Sequence, residues 1–149
     1  MARAGERHSA VISGVPSASV SAGEARALGG AAGSLPEADL LRWAQSRLPE
    51  EACGLVLEEA GRIWAVELPN VAADRRRGFE LDPGAVVDWL GRTEGPGSLR
   101  IRGVWHSHPD APAVLSGADR RGALPGAEHW IVGRSATGEW ELRVWGPEA

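Results

Sequence analysis

The chain has 149 residues, enough for one domain with a real hydrophobic core, and a formal net charge of −4. All sixteen basic residues are arginine, and nothing forms the strong basic stripe expected of a nucleic-acid binder. A single cysteine excludes an internal disulfide and fits a reducing cytoplasm, and no apolar run approaches the ~20 residues of a membrane span.

Residues 1 to about 34 are rich in Ala, Gly and Ser and contain no aromatic residue. Such a segment buries too little apolar surface to offset its ordering entropy. It is expected to be a flexible N-terminal tail, with at most a fragment of helix around Gly23–Leu28, and its His8 is not expected to be a ligand. A domain covering 35–149 follows. Pro36 to about Arg47 reads as the first helix: Leu40, Leu41 and Ala44 form an apolar stripe, Trp43 lies at its edge, and Pro36 suits the first turn. Glu50 and Glu51 follow at the join to a strand, Cys53–Leu57. Physics of the sequence alone does not choose between two solvated charges and a functional carboxylate here. Cys53 reads as a small buried residue, not a nucleophile.

Glu59-Ala60-Gly61 is a hairpin turn, and Ile63–Val66 with Leu68 is the returning strand. The loop from Asn70 to Gly78 carries Arg75-Arg76-Arg77. This run reads as solvated charge, with docking of an acidic patch on a protein substrate as the functional alternative. Phe79–Leu81 is expected to be a short strand. Asp82 is the N-cap and Pro83 the first residue of a helix to about Leu90, with Val86, Trp89 and Leu90 as its buried stripe. After the loop around Gly95-Pro96-Gly97, Arg100–His106 returns as a central strand. A short helix after Asp119 ends near Leu124-Pro125-Gly126. Glu128–Val132 and Trp140–Trp145 form a final antiparallel pair around Ala136-Thr137-Gly138. His129 falls in the first of these, on the surface or behind the site. The aromatic part of the core is expected to be mostly tryptophan.

The chemistry concentrates in Trp105-His106-Ser107-His108-Pro109 and Ser116-Gly117-Ala118-Asp119. Alternate residues of a strand share a face and lie roughly 6–7 Å apart at Cα, so both imidazoles can converge on one ion. Pro109 ends the ladder. Ser116 and Asp119 share a side if a helix begins there. Two imidazoles and a carboxylate suit zinc, and three protein ligands leave a fourth position open, as catalytic sites do. A His-x-His pair alone is a weak signal. Ser116-x-x-Asp119 also reads as a helix-capping arrangement, and Asp119 could pair with Arg120 or Arg121 on a solvated face.

The combination is more specific. Gly103-Val104-Trp105-His106-Ser107-His108-Pro109, then seven residues, then Ser116-x-x-Asp119, with a glutamate upstream in Glu50-Glu51-Ala52-Cys53-Gly54, resembles the JAMM (MPN+) metalloprotease family. Pro69-Asn70 and Phe79-Glu80-Leu81-Asp82-Pro83 are further marks, and the resemblance runs from about Leu35 to the C-terminus. Glu58 stands where the family usually has a glycine.

The resemblance implies an α+β fold with an MPN (cytidine-deaminase-like) core, a mixed curved sheet of about six strands flanked by two to three helices. It selects Glu51, two positions before Cys53, as the general base. It implies one catalytic zinc ion on His106, His108 and Asp119, with Ser116 stabilising the oxyanion. The implied reaction is hydrolysis of a peptide or isopeptide bond after the C-terminal glycine of a ubiquitin-like or sulfur-carrier protein ending in Gly-Gly. Only thirty residues follow Asp119, too few for the insertions of relatives that recognise linked ubiquitin, which favours a small carrier as the partner. The rival readings are a non-catalytic scaffold of the same fold, a general zinc peptidase on short peptides and a closed metal-storage module. The expected location is cytoplasmic, without nucleic-acid or membrane partners.

Overall fold

The computed structural model describes residues 6–12, 36–122 and 124–148. Its elements are β1 (Glu6–Ile12), α1 (Glu37–Arg47), β2 (Cys53–Glu59), β3 (Arg62–Leu68), α2 (Pro83–Thr93), β4 (Arg100–Ser107), α3 (Gly117–Arg121), β5 (Glu128–Arg134) and β6 (Trp140–Trp145). The strands form one sheet in the order β1-β6-β5-β4-β2-β3. All neighbours are antiparallel except β4 and β5. This is the mixed α+β sheet that the resemblance implies.

The sheet is buried on both faces, which is why its central strands read as nearly continuous apolar runs. One face holds Val56, Ala65, Trp105 and Trp130 against Leu40, Leu41, Trp43 and Ala44 of α1. The other holds Leu55, Leu57, Val66 and Val104 against Val86 and Trp89 of α2. Trp43 is fully buried, not at an edge, and stacks on Trp105 at 5.7 Å between ring centroids. The core aromatics are indeed mainly tryptophan, with Trp43, Trp105 and Trp130 all buried.

The helix ends follow their local chemistry. Asp82 caps α2, its side chain accepting from the Gly84 N–H. The β2–β3 turn has positive φ at Ala60 and Gly61, the pair of values a two-residue hairpin of the favoured twist requires.

Three further expectations need correction. Residues 6–12, read as part of a flexible tail, form β1 and pair with β6 from Glu6 opposite Trp145 to Ile12 opposite Trp140. Joining a sheet edge uses main-chain N–H and C=O groups, so composition did not reveal it. The rest of the expected tail, with the helix fragment at Gly23–Leu28, lies outside the described residues. Phe79–Leu81 is not a strand: only an isolated bridge joins Leu81 to Asn70, because the Glu80 N–H goes to the Asn70 side chain. Leu90, placed in the buried stripe of α2, is exposed.

Candidate metal centre and catalytic cleft

The site is assembled where β2 begins and β4 ends. Register puts Cys53 opposite His106. The next pair outward is closed by two bonds: the Ser107 N–H donates to the Ala52 carbonyl at 2.9 Å, and the Ala52 N–H donates to Ser107 Oγ at 2.8 Å. The same register carried one step further sets Glu51 across from His108. Ser107 therefore explains why the residue between the two histidines is a small hydroxyl. Its side chain is fully buried on the opposite side of the strand and locks β4 to β2.

His106 and His108 converge with Asp119, which arrives on α3 from the β4–β5 connection. His106 Nε2 lies 3.0 Å from His108 Nε2, 3.2 Å from one Asp119 oxygen, and the other oxygen is 3.3 Å from His108 Nε2. All three donor atoms lie within 4.8 Å of one another. For a tetrahedral ion with bonds of about 2.0–2.1 Å, the edge between two ligands is about 3.3–3.4 Å. The contacts of 3.0–3.3 Å sit close to that edge, with each histidine meeting a different Asp119 oxygen, and one donor atom from each residue falls within 4.8 Å of the others, so these three residues could hold one metal ion. Their order also suits it. His108 Nδ1–H donates to the Pro112 carbonyl at 2.7 Å, so in the neutral ring that metal binding requires, Nε2 carries the lone pair and faces inward. Phe79 stacks on the His106 ring at 4.2 Å and fixes its plane.

Ser116 caps α3, as the sequence also allowed. Its Oγ accepts from the Asp119 N–H at 3.0 Å, and the Ser116 N–H donates to Asp119 Oδ2 at 3.0 Å. The cap thus aims the carboxylate at the histidines. The Ser116 hydroxyl hydrogen is not used in the cap and stays available to another acceptor. Asp119 does not pair with Arg120 or Arg121; its carboxylate faces His106 and His108.

Glu51 lines the same cleft as His108, Ser116 and Asp119, a cavity of about 300 Å³. It is buried, and burial pushes its carboxyl up to about 7, with the Asp119 charge adding to the shift and His108 opposing it. Burial also works against the charge on Asp119, but the hydrogen bonds from His106 and His108 outweigh it and hold this carboxyl well below the usual range. Burial lowers the pKa of His106. His108 is raised, because its bonds to Asp119 and the Pro112 carbonyl outweigh burial. The metal-free cleft therefore holds a carboxyl raised by burial at Glu51 and an Asp119 carboxylate kept ionised between two imidazoles.

Two further residues organise the site without being legible from spacing. Asn70, noted above only as a mark, donates from Nδ2 to the main-chain carbonyl of Glu51 at 2.9 Å. Arg75 accepts the Glu51 N–H at its carbonyl, at 2.7 Å. Cys53 is buried with its thiol pushed up to about 12, chiefly by burial and then by the neighbouring Glu67 and Glu51, so it is no nucleophile. His129 is buried, not at the surface, and stands outside the group of three.

Comparison with known proteins agrees with this geometry. Residues 37–145 match the model of the prokaryotic homologs of the JAB domain. A desampylase of Haloferax volcanii is 36% identical over 99 residues, covering 62% of this chain and 70% of that protein. A solution structure of a protein from Desulfitobacterium hafniense superposes with a TM-score of 0.55 at 26% identity, covering 66% of this chain and 73% of that one.

Proposed function

Because the chain belongs to the family of prokaryotic homologs of the JAB domain, we propose that it is a zinc-dependent metallopeptidase. It hydrolyses a peptide or isopeptide bond after the C-terminal glycine of a ubiquitin-like or sulfur-carrier protein. The observation that carries this reading is the convergence of His106, His108 and Asp119 in the cleft that Glu51 lines. The similarity to a desampylase supports a ubiquitin-like substrate.

His106, His108 and Asp119 would hold one zinc ion, which supplies Lewis acidity toward water and toward a carbonyl oxygen. Glu51 accepts a proton from the attacking water and returns it to the departing amine. In the metal-free site burial raises its carboxyl, and a bound cation would draw it back toward the ionised, proton-accepting form. Ser116 Oγ, held by its bond from the Asp119 N–H, donates to the developing oxyanion. Losing such a donor costs on the order of 10²–10³ in turnover. Asn70 and the Arg75 carbonyl keep Glu51 in place by its main chain. The buried thiol of Cys53 suits a cytoplasmic setting.

The test is cleavage of a ubiquitin-like protein extended or conjugated beyond its terminal Gly-Gly. The purified chain should release the protein in the presence of zinc, and a chelator or Glu51→Gln should abolish release. Intact substrate in the presence of zinc, or full cleavage by Glu51→Gln, would overturn the reading.

A further inference from the structure

The arginine run splits in two. Arg75 turns away from the cleft and pairs with Glu50, Nε to Oε2 at 3.2 Å. It lines a neighbouring groove of about 440 Å³ with Arg47 and Glu67, and Glu51 stands between this groove and the cleft. Arg76 and Arg77 line the cleft that holds Glu51, His108 and Asp119. Both are exposed. The Arg77 guanidinium reaches Asp74 only at 3.7 Å, with the two side chains 88% and 60% exposed, a pair of little worth in water. The Arg76 main-chain N–H bonds Asp74, but its guanidinium pairs with no carboxylate among the described residues.

The loop carrying these two guanidinium groups has a fixed path. Asn70 donates to the carbonyls of Glu51 and Gly78 and accepts from the N–H groups of Ala72 and Glu80, at 2.9–3.1 Å. The Glu51 N–H donates to the Arg75 carbonyl at 2.7 Å. The loop is thus tied to the main chain of Glu51 on both sides, and binding at its rim need order only the arginine side chains.

We propose that Arg76 and Arg77 form an acid-reading lip, which takes up carboxylates on the substrate segment beside the scissile bond. The inference rests on the hydrolytic reading of this cleft and adds a substrate class to it. The carboxylates already present do not satisfy the pair. Asp119 is engaged by two imidazoles. Glu51 is buried in the cleft wall. Asp74, 3.7 Å from the Arg77 guanidinium, and Asp110, exposed at the lip, are the carboxylates placed to compete, and both lie in water, where such pairs are weak. An acidic peptide fits better than a nucleic acid, because two arginines on a chain of net charge −4 make no track for a phosphate backbone.

The test is a binding measurement that needs no hydrolysis. The full chain carrying Glu51→Gln, with zinc added, is titrated against a dye-labelled peptide in which two glutamates follow Gly-Gly, and against its glutamine twin. The acidic peptide should bind about tenfold tighter at low salt, with the advantage shrinking as salt rises. Arg76→Glu with Arg77→Glu should erase the preference, and Arg76→Lys with Arg77→Lys should retain part of it. Equal affinity for the twins, no binding of the acidic peptide up to about 1 mM, an unchanged preference in the glutamate double variant, or stronger displacement by a single-stranded oligonucleotide than by unlabelled acidic peptide would each overturn the proposal. Failure of the wild-type chain to cleave any Gly-Gly substrate would instead overturn the hydrolase reading.

Discussion

The side-chain amide of Asn70 donates to the main-chain carbonyl of Glu51 at 2.9 Å, while its second N–H and its oxygen hold Gly78, Ala72 and Glu80. One amide uses its whole hydrogen-bonding capacity to join the start of β2 to the loop that brings Phe79 onto His106. The main chain of Glu51 and the loop that lays Phe79 on His106 are therefore tied to the same residue, which itself bonds none of His106, His108 and Asp119.

Asn70→Ala should be costly for both folding and turnover. Four bonds at about 0.5–1.5 kcal/mol each suggest a loss of about 2–4 kcal/mol, since some of the released groups reach water. Denaturant unfolding measures that loss. Cleavage should fall by at least about tenfold as Glu51 loses its place. Zinc per chain should not change, because the three proposed ligands come from β4, the residue after it and α3. An unfolding midpoint equal to wild type would mean the loop holds itself without Asn70.

Glu51 should cost the metal-free protein stability, and the cost has a defined pH window. The folded-state pKa is raised to about 7 from 4.5. Below about pH 4.5 both states carry the proton and there is no penalty. Between 4.5 and about 7 the unfolded chain ionises while the folded one resists, so stability falls as pH rises. Above about 7 the penalty is complete. Glu51→Gln keeps the shape and removes the charge, so it should stabilise the metal-free protein by about 1–3 kcal/mol at pH 8 and by almost nothing at pH 4. Unfolding curves at the two pH values check this; a gain of equal size at both would assign it to packing, not to ionisation.

Much of this site was legible because strand alternation and helix spacing are local rules. His106 and His108 share a face, and Ser116 and Asp119 meet across one turn, as their separations of two and three imply. The choice between Glu50 and Glu51 is not local. Glu51 is buried in the cleft, while Glu50 lies outside it and pairs with Arg75, and both facts depend on a loop twenty-odd residues away. The same is true of β1, whose place rests on a main-chain ladder to β6 at the other end of the chain. Phe79 looked like a strand residue because aromatics favour strands. Its ring instead covers His106, a partner nearly thirty positions along.

Gly54→Ala should be among the most damaging single changes. A Cβ there would lie 1.9 Å from the Val66 carbonyl oxygen and 2.5 Å from Trp105 Nε1. Those two atoms bond each other at 2.9 Å, so the methyl group would have to part β2 from β3 and break a buried hydrogen bond. The cost should exceed about 3 kcal/mol, as overpacking and an unpaired indole N–H add. Gly91→Ala is the control. It sits in α2, where nothing lies within 4 Å of the added carbon, and it should gain about 0.5–1 kcal/mol. Thermal melts of the two variants should move in opposite directions; a mild Gly54→Ala would mean the strand pair is softer than its packing implies.

Zinc should stabilise the folded chain, and variants can separate ligation from capping. Added at about a hundred times its Kd, a ligand specific to the folded state contributes about 2.7 kcal/mol, so the melting temperature should rise on adding zinc. His108→Ala removes one of three donors and the Nδ1 bond to Pro112, and it should lose most of that rise and most of the bound zinc after gel filtration. Ser116→Ala removes only the bond from the Asp119 N–H. It should cost about 1 kcal/mol, the worth of an N-cap, yet keep its response to zinc because the Ser116 N–H still steers Asp119 Oδ2. Asp119→Ala should show both losses together. If His108→Ala bound zinc as well as wild type does, the separations of 3.0–3.3 Å among these side chains would reflect ordinary hydrogen bonding, and the three would not be sharing an ion.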